Sequence, residues 1–143
     1  MSTIVRGSAD DFEVMYGLRD AEQIYNRHIA AHCPLFICTS GAEAITVCTL
    51  AGIWKFPVTP INDVVSTVGA GDNFNAGFIY GMLKHGITRD IIDAGLTEEQ
   101  WDGIISCALR FSANVCKSIN NYIDNDFASE MKQEMADFIE KQQ

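Results

Sequence analysis

The sequence predicts an α/β fold, and three features support this. The continuous apolar run LFICT, at residues 35–39, is typical of a strand that is covered on both faces. Apolar residues recur at helical spacing before this run, in residues 20–32, and well after it, in residues 101–119. Between them, a glycine-rich turn at residues 69–71 leads directly into a helical pattern. Strands that alternate with helices in this way are typical of the α/β class.

The first elements of the chain are predicted from short local signals. The run STIVRG has the composition of a strand, and Ser8 followed by two aspartates predicts the start of a helix. A helical stripe over residues 20–32 is ended by Pro34. The strand at residues 35–39 follows immediately.

A hairpin is predicted next. The runs AITVCTL and IWKFPV are separated by a turn at Ala51–Gly52, which favours two antiparallel strands. Pro57 and Pro60 place the second run at a sheet edge or in a connection, because proline cannot donate a ladder hydrogen bond.

The remaining elements are mostly helical. The run DVVSTV resembles a strand, and the glycine motif after it opens a helix that ends at about Lys84. A polar linker over residues 86–95 precedes Thr97 and Gln100, a capping-box pair that predicts a long amphipathic helix. A last helix is predicted over about residues 128–141.

Composition limits the class of protein. With 143 residues, 48% hydrophobic and 20% charged, the chain has the size and composition of one globular domain. A net charge of −9 argues against a nucleic-acid partner, since phosphate would be repelled. No apolar run has the length of a membrane span, and the first ten residues contain no apolar leader segment. We therefore predict a cytoplasmic protein without a membrane partner.

The cysteines and histidines carry no metal-binding pattern. The five cysteines include no C-x-x-C pair and lie in apolar segments, which predicts reduced, buried thiols. His28 and His32 are spaced as i, i+4, but the glutamate of an H-E-x-x-H motif is missing. Two ordinary histidines near a helix end are the simpler interpretation.

The glycine-rich turn is the segment most suggestive of chemistry. Gly69-Ala70-Gly71 allows backbone N–H groups to converge, and Asp72 then begins a helix whose first turn favours an anion. A tight turn with an ordinary helix cap would also explain these residues. A dinucleotide-binding fingerprint would need a third glycine where Phe74 stands, and no G-x-x-x-x-G-K-[ST] motif occurs.

The longer string TVGAGDNFNAGF resembles the signature of the ribokinase-like, or PfkB, carbohydrate kinases, an Asp-Thr-x-Gly-Ala-Gly-Asp turn followed by a helix. The resemblance implies that Gly69, Ala70 and Gly71 form an anion hole for the transferring phosphoryl group. It implies that Asp72 is the base that accepts the proton of the sugar hydroxyl. The implied activity is ATP-dependent phosphorylation of a sugar or sugar-like alcohol. The implied fold is the ribokinase-like three-layer α/β/α sandwich, of which this chain is the C-terminal portion.

Three other segments follow the family in the same order. CTSGAEAITV resembles a segment in which Thr39 and Gly41 would contact the nucleotide. RGSADDF resembles the segment that carries an Asn-x-x-Glu pattern near Mg²⁺, and here Ser8 and Asp11 occupy those places. ALRFSANVCKSI resembles a helix beside the adenine pocket, which makes Asn114 a candidate. ATP and Mg²⁺ are the implied cofactors.

The chain also departs from the family pattern. Ser66 stands where the signature has its first aspartate. In the family that carboxylate helps to hold a monovalent cation, so the resemblance does not extend a monovalent-cation requirement to this chain.

The domain assignment follows from the resemblance. Members of the family have longer chains, and residues 1–143 resemble their C-terminal nucleotide-binding and catalytic part, without the N-terminal sugar-binding half and lid. We expect such a chain to self-associate or to pair with a partner chain, and to bind ATP, with a sugar substrate when the N-terminal half is supplied. The alternative is a non-catalytic nucleotide-binding or assembly module derived from such a kinase.

Overall fold

The computed structural model describes residues 2–143, which divide into two compact units on either side of the Pro60–Ile61 bond. The first unit contains a four-stranded mixed sheet. Its strands, in the order β1-β2-β3-β4, are Ile4–Ser8, Leu35–Thr39, Ala44–Cys48 and Ile53–Pro57. The first two strands are parallel, and the remaining pairs are antiparallel.

The strands and the hairpin predicted within residues 2–60 are confirmed. All five residues of β2 are buried, as expected for a covered strand. The strands β3 and β4 form the hairpin, and β4 lies at one end of the strand order. Pro57 is exposed there, where its missing N–H group disrupts no central ladder.

Two helical segments pack against this sheet. Helix α1 (Ala9–Tyr16) places Phe12 edge-on against Phe36 of β2, with ring centroids 5.2 Å apart. Helix α2 (Ala21–Ile24) covers less of residues 20–32 than predicted, because the backbone continues as a π-helical turn over Tyr25–Ile29. The Tyr25 ring stacks on Phe36 at 6.5 Å, so the π-turn still contributes to the core.

The second unit is helical. Its helices are α3 (Ala70–Lys84), α4 (Arg89–Ala94), α5 (Glu98–Cys116) and α6 (Asn125–Gln142). The ends of α3 and the capping box at the start of α5 agree with the prediction. Two predictions were wrong in extent. Helix α4 interrupts the predicted linker, because Thr88 caps it, and α6 begins about three residues early, because Asp124 caps it.

Helices α3 and α5 pack closely through two glycines of α3. A Cβ atom added to Gly77 would lie 2.7 Å from both the Ala108 Cα and the Cys107 carbonyl oxygen. A Cβ atom added to Gly81 would lie 3.0 Å from the Ile104 Cα. The spacing of these two glycines in the sequence predicts close packing, and the structure shows it.

Helix α6 is joined to α3 and α5 by polar contacts and by ring contacts, among them Phe127 edge-on to Phe111 of α5 at 5.2 Å. The Glu134 carboxylate accepts hydrogen bonds from Lys84 and from Arg110, and the Tyr80 hydroxyl donates to the Met131 carbonyl at 2.9 Å. Because Lys84 and Arg110 lie on different helices, Glu134 ties both to α6.

All five cysteines are free and buried, which confirms the prediction of reduced thiols. Burial raises the pKa of Cys38 to about 11 and that of Cys48 to about 12, so both remain protonated at neutral pH. Within residues 2–143, no helix has the length and apolarity required to cross a membrane.

Candidate functional site

The candidate site is built on the turn that begins helix α3. Gly69 has φ 81° and ψ −2°, a left-handed conformation that glycine adopts without the cost other residues incur. Gly71 does not share this conformation, because it lies inside α3 and is not among the positive-φ residues of the described chain.

Two of the first four amides of α3 are available to a ligand. The Ala70 N–H donates to the Thr67 carbonyl at 3.2 Å, and the Asn73 N–H donates to the Gly69 carbonyl at 3.0 Å. Among the residues that the structure describes, no acceptor is paired with the N–H groups of Gly71 and Asp72. Two unpaired donors at the start of a helix, where the macrodipole is positive, suit an anion.

Asp72 lies in the first turn of α3 with an exposed side chain. A carboxylate at this position can accept a proton from a hydroxyl group that approaches the helix start. The predicted base and the predicted anion-hole residues Gly69, Ala70 and Gly71 thus lie at one helix end. Of the last two, only Gly71 has an N–H that is unpaired within the described residues, because the Ala70 N–H is already bonded to the Thr67 carbonyl.

The segment before the turn differs from the prediction. Residues 63–68 form no strand; instead, the N–H groups of Val65 and Ser66 donate to the Cys116 carbonyl, at 2.8 and 3.3 Å. The Cys116 carbonyl at the C-terminal end of α5 therefore accepts the hydrogen bonds that a neighbouring strand would otherwise accept. The Ser66 hydroxyl accepts a hydrogen bond from the Val68 N–H at 3.1 Å, which steadies the approach to Gly69.

Two residues beside the turn were missed by the sequence reasoning. The Asn73 side-chain amide donates to the carbonyl oxygens of Gly69 and Asn121, each at 2.9 Å. Asn121 also fills the space beside Gly69, where an added Cβ atom would lie 2.8 Å from the Asn121 Cβ. No local pattern could have revealed a contact between residues 48 positions apart.

Asn114 is engaged in a helix cap. Its Nδ2 donates to the Asp124 carboxylate at 2.8 Å, and its Oδ1 accepts from the Asp124 N–H at 3.1 Å. Asp124 in turn caps α6 by accepting from the Phe127 N–H at 2.7 Å. The hydrogen bonds from Phe127 and Asn114 lower the pKa of Asp124. These contacts give the Asn114 side chain a structural role, and its proposed role beside adenine stays a prediction.

Ser8 and Asp11 form a reciprocal capping box at the start of α1. The Ser8 hydroxyl donates to the Asp11 carboxylate at 2.6 Å and accepts from the Asp11 N–H at 3.1 Å. The side-chain hydrogen bond from Ser8 lowers the pKa of Asp11, as does the bond from the Ser8 N–H. No cluster of three or more His, Cys, Asp or Glu residues suited to a metal occurs within residues 2–143.

The two nucleotide candidates of the first unit differ in exposure. Thr39 is buried at the end of β2, and its hydroxyl accepts a hydrogen bond from Arg6 at 3.1 Å. Gly41 is exposed in the β2–β3 turn with φ 54°, and nothing lies within 4 Å of an added Cβ atom. Ser8 and Asp11 belong to this same unit, whereas Asn114 belongs to the unit that contains the Gly69 turn.

Comparison with known proteins identifies the class. A family model described as "pfkB family carbohydrate kinase" matches residues 1–121. Adenosine kinase of Saccharomyces cerevisiae is 33% identical over 102 residues, which cover 68% of this chain and 28% of that protein. The chain belongs to the pfkB family of carbohydrate kinases.

Solved structures show the fold. Aminoimidazole riboside kinase from Salmonella enterica, complexed with aminoimidazole riboside and an ATP analog, has a TM-score of 0.67 at 22% identity. That match covers 94% of this chain and 42% of the kinase. Fructokinase from Vibrio cholerae, bound to fructose, ADP and calcium, has a TM-score of 0.68 at 18% identity, with 84% and 36% covered. This chain thus has part of the ribokinase-like fold, a mixed sheet with helices, and spans less than half the length of these relatives.

Proposed function

We propose that this chain is the C-terminal nucleotide-binding and catalytic part of a kinase that transfers the terminal phosphoryl group of ATP to a hydroxyl of a sugar or a nucleoside. The observation that carries the proposal is the start of α3. There the left-handed Gly69, the unpaired amides of Gly71 and Asp72, and the exposed Asp72 carboxylate lie within four consecutive residues.

The chemistry of phosphoryl transfer suits this arrangement. Charge on the transferring group is spread over its equatorial oxygens, and preorganised N–H donors stabilise it better than mobile water does. In the proposed mechanism the Gly71 and Asp72 amides contact the phosphoryl oxygens. The Asp72 carboxylate accepts the proton of the attacking hydroxyl as the new P–O bond forms and the bond to ADP breaks.

The acceptor class follows from the relatives. Their printed names include an adenosine kinase, an aminoimidazole riboside kinase and a fructokinase. All of these acceptors carry the alcohol on a sugar ring or chain. We therefore propose a sugar hydroxyl, free or within a nucleoside, as the acceptor of the complete enzyme.

The residues predicted to lie near Mg²⁺, Ser8 and Asp11, do not form a good metal site. Ser8 and Asp11 provide two oxygen groups that already bond to one another, and no larger cluster of metal-binding side chains occurs in the described residues. Mg²⁺ prefers octahedral oxygen coordination with several waters and substrate phosphates. Ser8 and Asp11 stay predicted metal-site residues. A cytoplasmic location also stays a prediction.

A second candidate function is a nucleotide-binding or assembly module without turnover. The observation that favours it is that two predicted site groups, the Ser8–Asp11 pair and Asn114, are committed to helix caps. Pairing with a second copy or another chain belongs to this proposal. Titration of Mg-ATP and of a sugar and nucleoside panel, first separately and then together, distinguishes the two functions, because only the kinase consumes ATP when both are present.

The test of the proposed function is the substitution Asp72→Asn. The assay uses this chain together with the sugar-binding half of a pfkB kinase. In that system we expect the turnover of the variant to fall by at least ~10²-fold, the usual size of a general-base contribution. Nucleotide affinity should change by a few-fold at most, because the Asp72 amide is kept. A coupled ADP-release assay measures the first quantity, and equilibrium titration measures the second.

Asp126→Asn is the matched control. Asp126 is also exposed in the first turn of a long helix, α6, so its neutralisation changes charge and helix start in a similar way. We expect this variant to retain turnover. Full turnover in Asp72→Asn would exclude Asp72 as the base, whereas ATP binding without any turnover in the unchanged protein would favour the non-catalytic module.

A further inference from the structure

Asn73 joins the anion-binding turn to a loop that is distant in sequence. Its Nδ2 donates to the Gly69 carbonyl and to the Asn121 carbonyl, both at 2.9 Å. Because both partners are carbonyl oxygens, only the amino group of the carboxamide can satisfy them. The side chain therefore uses both of its donors to connect two backbone segments.

The loop lies directly against the turn. We define it as residues 117–124, between α5 and α6. A Cβ atom added to Gly69 would lie 2.9 Å from the Asn121 carbonyl oxygen and 3.0 Å from its Cα. At the far end of the loop, Asp124 is held by two hydrogen bonds with Asn114. The 117–124 loop is thus fixed at Asn121 and at Asp124.

Helix chemistry alone does not explain an asparagine at position 73. Asparagine is a poor residue for a helix interior, and a carboxylate would suit the positive start of α3 better. The advantage of the carboxamide lies in its two donors, which an aspartate would replace with acceptors facing two carbonyl oxygens. The residue type therefore fits the connection to the loop.

We infer that Asn73 is a positioning residue, which holds the 117–124 loop against Gly69 so that the Gly71 and Asp72 amides stay arranged for one anion. This inference rests on the proposed function. It adds a consequence of its own, because an anion bound at the turn should then stabilise the loop as well. No group of Asn73 contacts the phosphate in this account.

The experiment compares Asn73→Ala with Asn75→Ala by hydrogen–deuterium exchange, with and without inorganic tripolyphosphate as the probe. Asn75 is exposed on the same helix, and its side chain makes no hydrogen bond within the described residues. In Asn73→Ala we expect exchange of the 117–124 loop to rise about 10-fold and the tripolyphosphate Kd to rise about 10-fold, as expected for two lost hydrogen bonds. The Asn75→Ala variant should match the unchanged protein in both quantities.

A charge comparison separates positioning from electrostatics. Asn73→Asp and Asn75→Asp add the same charge near the same helix end. Mobilisation of the 117–124 loop should occur in Asn73→Asp only, although general repulsion of the probe occurs in both. A purely structural role would instead raise exchange throughout α3 and α5 and leave probe-induced protection of the loop intact.

The outcomes separate this inference from the proposed function. Probe-induced protection of both the turn and the loop in the unchanged protein, with loop protection lost in Asn73→Ala, supports the inference. If Asn73→Ala binds tripolyphosphate as tightly as the unchanged protein, the positioning role is wrong while the anion site stands. If the unchanged protein shows no protection of residues 66–73, the anion site is wrong and the positioning role fails with it.

Discussion

Gly69 has the most constrained backbone in the candidate site. Its φ of 81° lies in the left-handed region, and Asn121 leaves no room for a side chain beside it. Gly86 also has positive φ, 63°, but nothing lies within 4 Å of an added Cβ atom there. Substitution of these two glycines therefore distinguishes the free-energy cost of a left-handed backbone from that of a steric clash.

We predict that Gly86→Ala destabilises the protein by about 1–2 kcal/mol, the cost of a left-handed conformation for alanine. Gly69→Ala should cost a further ~1–3 kcal/mol, because the new methyl group overlaps the Asn121 backbone. Denaturant unfolding of both variants measures the difference. Equal costs would show that Asn121 is not packed against Gly69.

At the scale of helix packing, the cost of a side chain also depends on which atoms face the glycine. Gly77 faces backbone atoms of α5, which cannot move without separating the helices, whereas Gly103 of α5 faces the end of the His85 side chain at 3.0 Å. We predict that Gly77→Ala lowers the free energy of unfolding by about 1–3 kcal/mol. Gly103→Ala should be neutral or stabilising, because alanine favours a helix by about 1 kcal/mol over glycine. Thermal or denaturant unfolding compares them, and a harmless Gly77→Ala would contradict the α3–α5 packing.

Attachment of α6 is the second prediction at this scale, and it depends on pH. Burial raises the pKa of Glu134, but hydrogen bonds from Lys84 and Arg110 outweigh it, so the net pKa lies below the ordinary value of 4.5. A lowered pKa in the folded state gives stability that is complete above pH 4.5 and is lost as the pH falls through the lowered value. We therefore predict that unfolding becomes easier below this pH.

Glu134→Gln should remove that part of the pH dependence and destabilise the protein at neutral pH, since Lys84 loses its carboxylate partner and Arg110 loses the closer of its two. Glu130→Gln is the control, because the Glu130 side chain is 64% exposed and its carboxylate lies 3.4 Å from Arg110. Unfolding curves between pH 3 and 7 test both variants. An unchanged pH profile in Glu134→Gln would contradict this account of α6.

Elements with a local cause were predictable from the sequence, and those with a distant cause were not. The Thr97–Gln100 capping box and the Ala51–Gly52 hairpin turn are set by residues within a few positions of one another. Residues 63–68 have strand propensity, but the Cys116 carbonyl decides their hydrogen bonding, and that partner is distant in sequence.

The same distinction holds for the site. The sequence motif predicts the position of Asp72 at a helix start, because glycine and aspartate act locally there. It does not predict that Gly69, rather than Gly71, is left-handed, nor that Asn73 and Asn121 brace the turn. These features depend on how the 117–124 loop returns to α3.

At the scale of the whole molecule, membership in the pfkB family and the geometry of the α3 start support one account. The family match covers most of the chain, and the relatives' structures contain an ATP analog or ADP. The chain spans 28% to 42% of those relatives, so the complete reaction is proposed for the longer assembly. The proposed contact with the terminal phosphate involves only residues of the α3 start, so it can be tested on this chain.

The most direct test is a titration of the ¹⁵N-labelled chain with Mg-ATP, followed by amide chemical shifts. The account predicts that the Gly71 and Asp72 amides shift most and saturate together, because their unpaired N–H groups donate to the terminal phosphate. The amides of Gly86 and Gly95, in open turns of the same unit, should not move. Saturable binding of Mg-ATP that leaves the Gly71 and Asp72 amides unshifted would contradict the account.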